Sequence, residues 1–68
     1  MKIDAEKTRE LIQESGRTLD QFCKETGIKN YNLSKYLHGK NVPKNVVERI
    51  ADDLGVSIYE LMELRGFY

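Results

Sequence analysis

The stretch TLDQFCKETGIKNYNLSKYLHGK, residues 18–40, decides the fold, because two short helical segments meet there at one glycine. Thr18 and Gln21 form a capping box, the residue pair that satisfies free backbone amides where a helix begins. The helix that starts there is predicted to stop near Gly27, a residue that readily adopts the left-handed backbone of a helix end. Its predicted inner face consists of Leu19, Phe22 and Cys23.

The second helical segment of this stretch runs from about Asn30 to His38 and is predicted to end at Gly39. At 100° per residue its side chains divide into two faces. The apolar face carries Leu33, Tyr36 and Leu37, and Ile28 also belongs to the predicted core. The opposite face carries Tyr31, Ser34, Lys35 and His38, with Asn30 and Asn32 beside the first turn. Asn30 is a candidate N-cap as well as a surface residue.

Three more helices are predicted on either side of this pair. Asp4 can cap a first helix that runs to about Ser15. After the loop KNVP, which is predicted to be polar, Pro43 suits the first turn of a fourth helix. A second capping box, SIYE at residues 57–60, predicts a short fifth helix. With no alternating strand pattern, the expected fold class is all-α, a compact five-helix arrangement.

The 68 residues are expected to form a single domain, 1–68, since the connections leave no room for a linker. The single Cys cannot form an internal disulfide, and no apolar run approaches membrane-spanning length. These features predict a cytoplasmic protein without a membrane partner. One Cys and one His are too few for a structural zinc site, which needs about four ligands, so no metal and no cofactor are expected.

The charge is unevenly distributed along the chain, although 11 basic and 11 acidic residues balance overall. Residues 26–47 contain four lysines and no acid, whereas the segments before and after are net negative. An anionic partner would therefore be expected to dock on one face only, while the rest of the molecule repels it.

The spacing around Gly27 resembles the helix-turn-helix of the phage-repressor, or Cro-type (XRE-like), DNA-binding family. That family favours a small residue, a Gly four positions later, and apolar residues six and nine positions after the Gly. Cys23, Gly27, Leu33 and Tyr36 fill those places. The closing stretch ADDLGVSIYELMEL is also similar, so the likeness covers about residues 5–64 and implies a lambda-repressor-like fold with its helix-turn-helix at about 18–38.

The chain departs from the family pattern at three positions. Many members have a phosphate-contacting Gln where this chain has Leu19, and Thr18 or Lys24 would have to replace that contact. Many also have an Arg–Glu ion pair where this chain has Ile12 and Leu37. Replacing both partners of such a pair with apolar groups is often neutral or stabilising. The paired change predicts that Ile12 and Leu37 touch.

The resemblance implies that the third helix enters the major groove of double-stranded DNA. The base-contacting residues would be Asn30, Tyr31, Ser34 and Lys35. The residues placed to hold the DNA backbone would be Thr18, Lys24, Lys29, Asn32, His38, Lys40, Asn41 and Lys44. The side-chain chemistry agrees, since Lys can donate to guanine and Asn can pair with both edge atoms of adenine.

The favoured function is a sequence-specific transcriptional regulator, a repressor of phage-like type, acting as a homodimer on a two-fold-symmetric operator. The fifth helix together with the apolar residues Leu64, Phe67 and Tyr68 is the candidate dimer surface, by analogy with the family and because little else would cover these side chains. The alternative is a helix-turn-helix used as a protein–protein interaction module, such as an antirepressor or antitoxin-like subunit. An enzyme is not expected, because the chain has one His and one Cys and Cys23 is assigned to a helix packing interface. A carboxylate pair such as Asp52–Asp53 has side chains that diverge on a helix, which favours a solvated face over an acid–base couple. No small-molecule ligand is expected either.

Overall fold

The computed structural model describes residues 1–62, which form five α-helices. These are α1 (Ala5–Glu14), α2 (Leu19–Thr26), α3 (Asn30–Leu37), α4 (Lys44–Leu54) and α5 (Ile58–Leu61). The predicted all-α, five-helix fold is therefore confirmed. Of the predicted dimer surface, the fifth helix is described, whereas Leu64, Phe67 and Tyr68 lie outside the described residues; its role in a dimer stays a prediction.

Two of the predicted helix starts are confirmed by their capping hydrogen bonds. The Asp4 carboxylate accepts from the Lys7 amide, and the Thr18 hydroxyl accepts from the Gln21 amide, each at 3.1 Å. Ser57 is the N-cap of α5, so the predicted start of the fifth helix is also confirmed, but its side chain makes no capping hydrogen bond and the predicted capping box does not form. The Glu60 amide donates instead to the main-chain carbonyl of Ser57 at 3.1 Å, so the backbone already satisfies the donor that the hydroxyl would have served.

The core is built from all five helices and from two residues outside them. Its buried apolar residues are Ile3, Ile12, Phe22, Cys23, Leu33, Leu37, Val42, Val47, Ile50, Ala51 and Leu61. Ile12 is 1 % exposed and Leu37 is 6 % exposed, so both positions of the lost ion pair belong to this core. Apolar side chains there remove the cost of burying a charge. Their direct contact stays a prediction.

Ile3 and Val42 are buried although neither lies in a helix. Ile3 forms an isolated antiparallel bridge with Met62, and the Asp4 amide donates to the Leu61 carbonyl at 2.6 Å. The Val42 amide donates to the Met1 carbonyl. The first residues of the chain thus link the loop after α3 to the end of α5. The prediction of a wholly polar KNVP loop was wrong, because Val42 fills the core beneath this extended segment.

The turn between α2 and α3 depends on the conformation of Gly27, whose φ is 79°. A Cβ built there would approach only the Arg49 guanidinium, at 3.6 Å, which is an ordinary contact. The glycine is therefore needed for its left-handed backbone and not to let the two helices approach closely. Arg49 also donates from Nη1 to the Thr26 carbonyl at 2.7 Å, which joins α4 to the last turn of α2.

Candidate nucleic-acid interface

The outer face of α3 is exposed, while its inner face is fixed in the core. Leu33 is 2 % exposed and Leu37 is 6 % exposed, and the half-buried Tyr36 packs against the same core. All four predicted base-contacting residues are exposed: Asn30, Tyr31, Ser34 and Lys35. The helix is therefore held by two buried leucines one turn apart, and it presents a polar surface one turn long to solvent.

Tyr31 is 62 % exposed on this surface. The Nζ atoms of Lys29 and Lys35 lie 6.0 Å and 5.9 Å from the centre of its ring. These distances are at the outer limit of a cation–π attraction, and the gain at an exposed site is only about 0.5–1 kcal/mol. The arrangement still keeps two positive charges beside an aromatic ring that can contact a thymine methyl group.

Asn30 does not cap α3. Lys29 occupies the N-cap position, and its side chain makes no capping hydrogen bond. The Asn30 side-chain amide instead donates from Nδ2 to Oδ1 of Asp20, at 2.6 Å. The alternative of an N-cap is therefore wrong, because α3 already includes Asn30 and its N-cap position falls on Lys29.

Asp20 was missed by sequence reasoning, which counted charges along the chain. The segment 26–47 contains no acid, but the helix pair brings the first turn of α2 next to the first turn of α3. The segment itself contains no acid, as predicted. In the folded domain, however, the surface around α3 includes one carboxylate, that of Asp20. The capping box gave a usable signal, because it placed Asp20 on the opening turn of α2.

His38 ends α3 and contacts its last turn. Its Nδ1 lies 2.6 Å from the Ser34 carbonyl, which can only accept, so Nδ1 carries the hydrogen and Nε2 is left as the outer nitrogen. The ring is exposed at the same end of the helix as the loop residues Lys40 and Asn41. This geometry orients His38 but also uses one of its two polar atoms within the protein.

The remaining predicted backbone-contacting residues lie at the N-caps of α2 and α3, on α2, on α3 itself, in the loop after α3 and on α4. Lys24, Lys29, Lys40, Asn41 and Lys44 are exposed, whereas Asn32 is half-buried. The Thr18 hydroxyl accepts from the Gln21 amide and keeps its own hydrogen for donation. Arg17 is the only cation that forms salt bridges within residues 1–62. These lysines are therefore not neutralised by carboxylates of the described chain.

A groove lies beside α3 on the side of α1 and α2. Its lining residues are Arg9, Leu19, Asp20, Cys23, Asn30, Leu33, Ser34, Leu37 and His38. Leu19 is 40 % exposed, so its prediction as an inward residue was wrong. Leu19 lies in the first turn of α2, where its side chain lines this groove, and the buried residues of the helix come later in its sequence. Arg9, from α1, is a second residue of this surface that sequence reasoning missed.

Cys23 is a buried packing residue. Burial, and secondarily the charge of Asp20, raise the pKa of its thiol above the usual value, which keeps the sulfur neutral and poorly reactive. Within residues 1–62 no three His, Cys, Asp or Glu side chains are grouped in a way that could hold a metal ion.

Two helices meeting at a left-handed glycine, with the second helix exposed along a basic, amide-rich face, define a helix-turn-helix DNA-binding domain. The chain belongs to the Cro/C1-type helix-turn-helix DNA-binding domain family, whose model matches residues 7–65. The resemblance inferred from Cys23, Gly27, Leu33 and Tyr36 is thereby confirmed. Domains of this family are typically not enzymes. No curated protein and no solved structure gave a significant match.

In the part of the chain that the structure describes, none of the helices has the length and apolar character needed to cross a membrane.

Proposed function

We propose that this chain is a cytoplasmic, sequence-specific transcriptional regulator of repressor type that inserts α3 into the major groove of double-stranded DNA. The observation that carries the proposal is the division of α3 into two faces. Leu33 and Leu37 fix the helix in the core, while Asn30, Tyr31, Ser34 and Lys35 are exposed together. A helix held this rigidly can present side chains to base edges without losing much conformational entropy.

Base readout would be divided among the four exposed residues according to their chemistry. Lys35 can donate to O6 and N7 of guanine, and Asn30 can pair with N6 and N7 of adenine. Ser34 can donate or accept, and Tyr31 can contact the thymine methyl group through its ring. This division supports readout of a short run of base pairs, about the length one helical turn can reach.

The backbone contacts would come from the lysines around α3. Lys24, Lys29, Lys40 and Lys44 lie on α2, before α3, in the loop and on α4, and so would grip phosphates on both sides of the groove. With four phosphate contacts, one protomer would give a slope of log K against log salt of about −3.6, and a dimer would give about −7. Thr18, Asn32, His38 and Asn41 would add neutral contacts that position the helix.

A homodimer on a two-fold-symmetric operator follows from this small number of contacts. One protomer offers one helical turn of base-reading residues, which discriminates few base pairs. Two protomers would double the readout and the phosphate contacts, with half-sites about 34–36 Å apart along the same face of the DNA.

The experiment is a binding titration combined with selection of fragments from random duplexes. At low salt the protein should bind random DNA, and selection should enrich a site with two-fold symmetry. A steep fall in affinity with rising salt would accompany both. Absence of DNA binding at low salt would overturn the proposal. It would leave the protein–protein interaction module, which the net charge of zero and the exposed Leu19 in place of a phosphate-contacting Gln support.

A further inference from the structure

The hydrogen bond between Asp20 and Asn30 links the two helices of the helix-turn-helix at the base-reading surface. Asn30 is the first residue of α3, and Asp20 is on the first turn of α2. Their side chains meet at 2.6 Å and both residues are exposed. No salt bridge within residues 1–62 involves Asp20, so the amide of Asn30 is its side-chain partner.

The chemistry of this contact determines which way the Asn30 amide is turned. An ionised carboxylate can only accept hydrogen bonds, so Asn30 must direct its NH₂ group toward Asp20. The opposite orientation would place the carbonyl oxygen of Asn30 against a negatively charged oxygen. One N–H of Asn30 is therefore engaged, while the second N–H and the carbonyl oxygen remain available.

We infer that Asp20 is a positioning residue that holds Asn30 in the orientation that reads adenine, while its charge weakens binding to other DNA. This rests on the proposed function. An available N–H and carbonyl oxygen match N7 and N6 of adenine, whereas guanine presents two acceptors, N7 and O6. The carbonyl oxygen of an Asn30 held by Asp20 would face O6 of guanine unfavourably. Specificity thus arises from rejecting the wrong base as well as binding the right one.

The negative charge of Asp20 has a separate consequence for DNA of any sequence. A carboxylate on the surface that approaches the major groove is repelled by the phosphates, and water and salt screen that repulsion. The repulsion lowers the affinity for random DNA. At the correct site, the contact that the ordered Asn30 makes with adenine offsets this repulsion. The ratio between the two affinities is the quantity that matters for a regulator.

The experiment uses the full chain and three variants. Asp20→Ala removes both the charge and the acceptor. Asp20→Asn removes the charge but keeps an acceptor oxygen for the Asn30 amide. Asp52→Asn serves as the control. It removes one acid at an exposed position near the end of α4, and Asp52 is not among the residues that line the groove beside α3. Binding is measured on the selected site, on each single-base variant of it and on random duplex, with a thermal melt of each protein.

The wild type should prefer adenine over guanine at one position in each half-site by roughly 5- to 150-fold. Asp20→Ala should lose most of that ratio at that position alone, and Asp20→Asn should keep only part of it, because an amide can donate as well as accept and no longer forces one orientation on Asn30. Both should bind random DNA about two- to threefold more tightly at low salt. Asp52→Asn should leave the base preference unchanged.

Either of two results would overturn this inference and leave the proposed function standing. Asp20→Ala could keep the adenine preference, or it could weaken discrimination equally at every position, which is what a merely structural role would produce. If the wild type itself enriches no sequence, the proposed function fails first and this inference fails with it.

Discussion

The guanidinium of Arg17 donates to the carboxylate of Asp53 across 2.6 Å and so joins the turn after α1 to the end of α4. The same group donates to Glu25 of α2 at 2.9 Å and lies 5.0 Å from the centre of the Phe22 ring. The hydrogen bond to Asp53, and then that to Glu25, raise the pKa of Arg17 above its usual value, so it stays charged across the working pH range. One cation therefore links the turn after α1 to both α2 and α4.

Arg17→Met should lower the melting temperature, because it removes both ion pairs and leaves Glu25 and Asp53 close to each other without a cation. Arg9→Met is the matched control, since Arg9 is exposed and has no salt bridge within residues 1–62. The difference between the two variants should shrink in high salt, because salt screens exposed pairs. Equal melting temperatures at low salt would show that the Arg17 cluster contributes nothing to stability.

Ile3→Ala should lower the free energy of unfolding by about 2–5 kcal/mol, the usual cost of truncating a buried Ile. Ile3 is 3 % exposed and itself forms the bridge to Met62, so truncating its side chain would open a cavity in the core beside the end of α5. The control is Lys2→Ala, an exposed neighbour, with an expected change within about 0.5 kcal/mol. Urea unfolding measures both, and a cost for Ile3→Ala as small as that of the control would contradict the buried role of this segment.

Ile3 also shows where prediction from the sequence reached its limit. Helix caps, a helical period and a left-handed glycine are local signals, and they correctly predicted five helices and the exposed face of α3. Ile3 and Val42 lie in short extended segments whose burial depends on distant partners, Met62 and Met1, and no local pattern reports that. Asp20 and Arg9 reached the candidate site for the same reason, since helix packing brought them there.

Residues with more than one possible role were predicted less well than residues with a single one. Leu19 is apolar and adjacent to Phe22, and hydrophobicity alone indicated the core, yet the first turn of α2 leaves it 40 % exposed. Asn30 is a good N-cap residue by type, but the helix starts one residue earlier than a cap at Asn30 would require, with Lys29 at the N-cap. In both cases the exact position at which the helix begins decided between two locally reasonable roles.

Gly27→Ala should cost about 1–2 kcal/mol, the price of a left-handed conformation for a residue with a Cβ. Gly16→Ala is the matched control, because Gly16 has a φ of 80° and nothing within 4 Å of the added Cβ. The two substitutions should therefore cost the same, and Gly27→Asn should cost less because Asn tolerates this conformation. Chemical denaturation gives the values, and a much larger loss at Gly27 would mean that the helices need a small residue there after all.

Leu19→Gln should raise affinity for DNA of any sequence without lowering stability. Leu19 is exposed at the start of α2, at the position where many members of the family carry a phosphate-contacting Gln. Because the amide would touch the backbone and not the bases, the gain should be equal on selected and random duplexes. A fluorescence anisotropy titration measures it, and unchanged affinity on both duplexes would mean that this turn does not reach the phosphates.

The central claim is that the outer face of α3 reads bases while the lysines around it hold phosphates. The most direct test is the ratio of Kd on random DNA to Kd on the selected site, for the wild type, Lys35→Ala and Lys44→Ala across a salt series. Lys35→Ala should lower this ratio by roughly 5- to 150-fold. Lys44→Ala should leave the ratio unchanged, weaken both complexes alike and reduce the salt slope by about 0.9 per protomer. Equal losses on both duplexes for Lys35→Ala would contradict the claim.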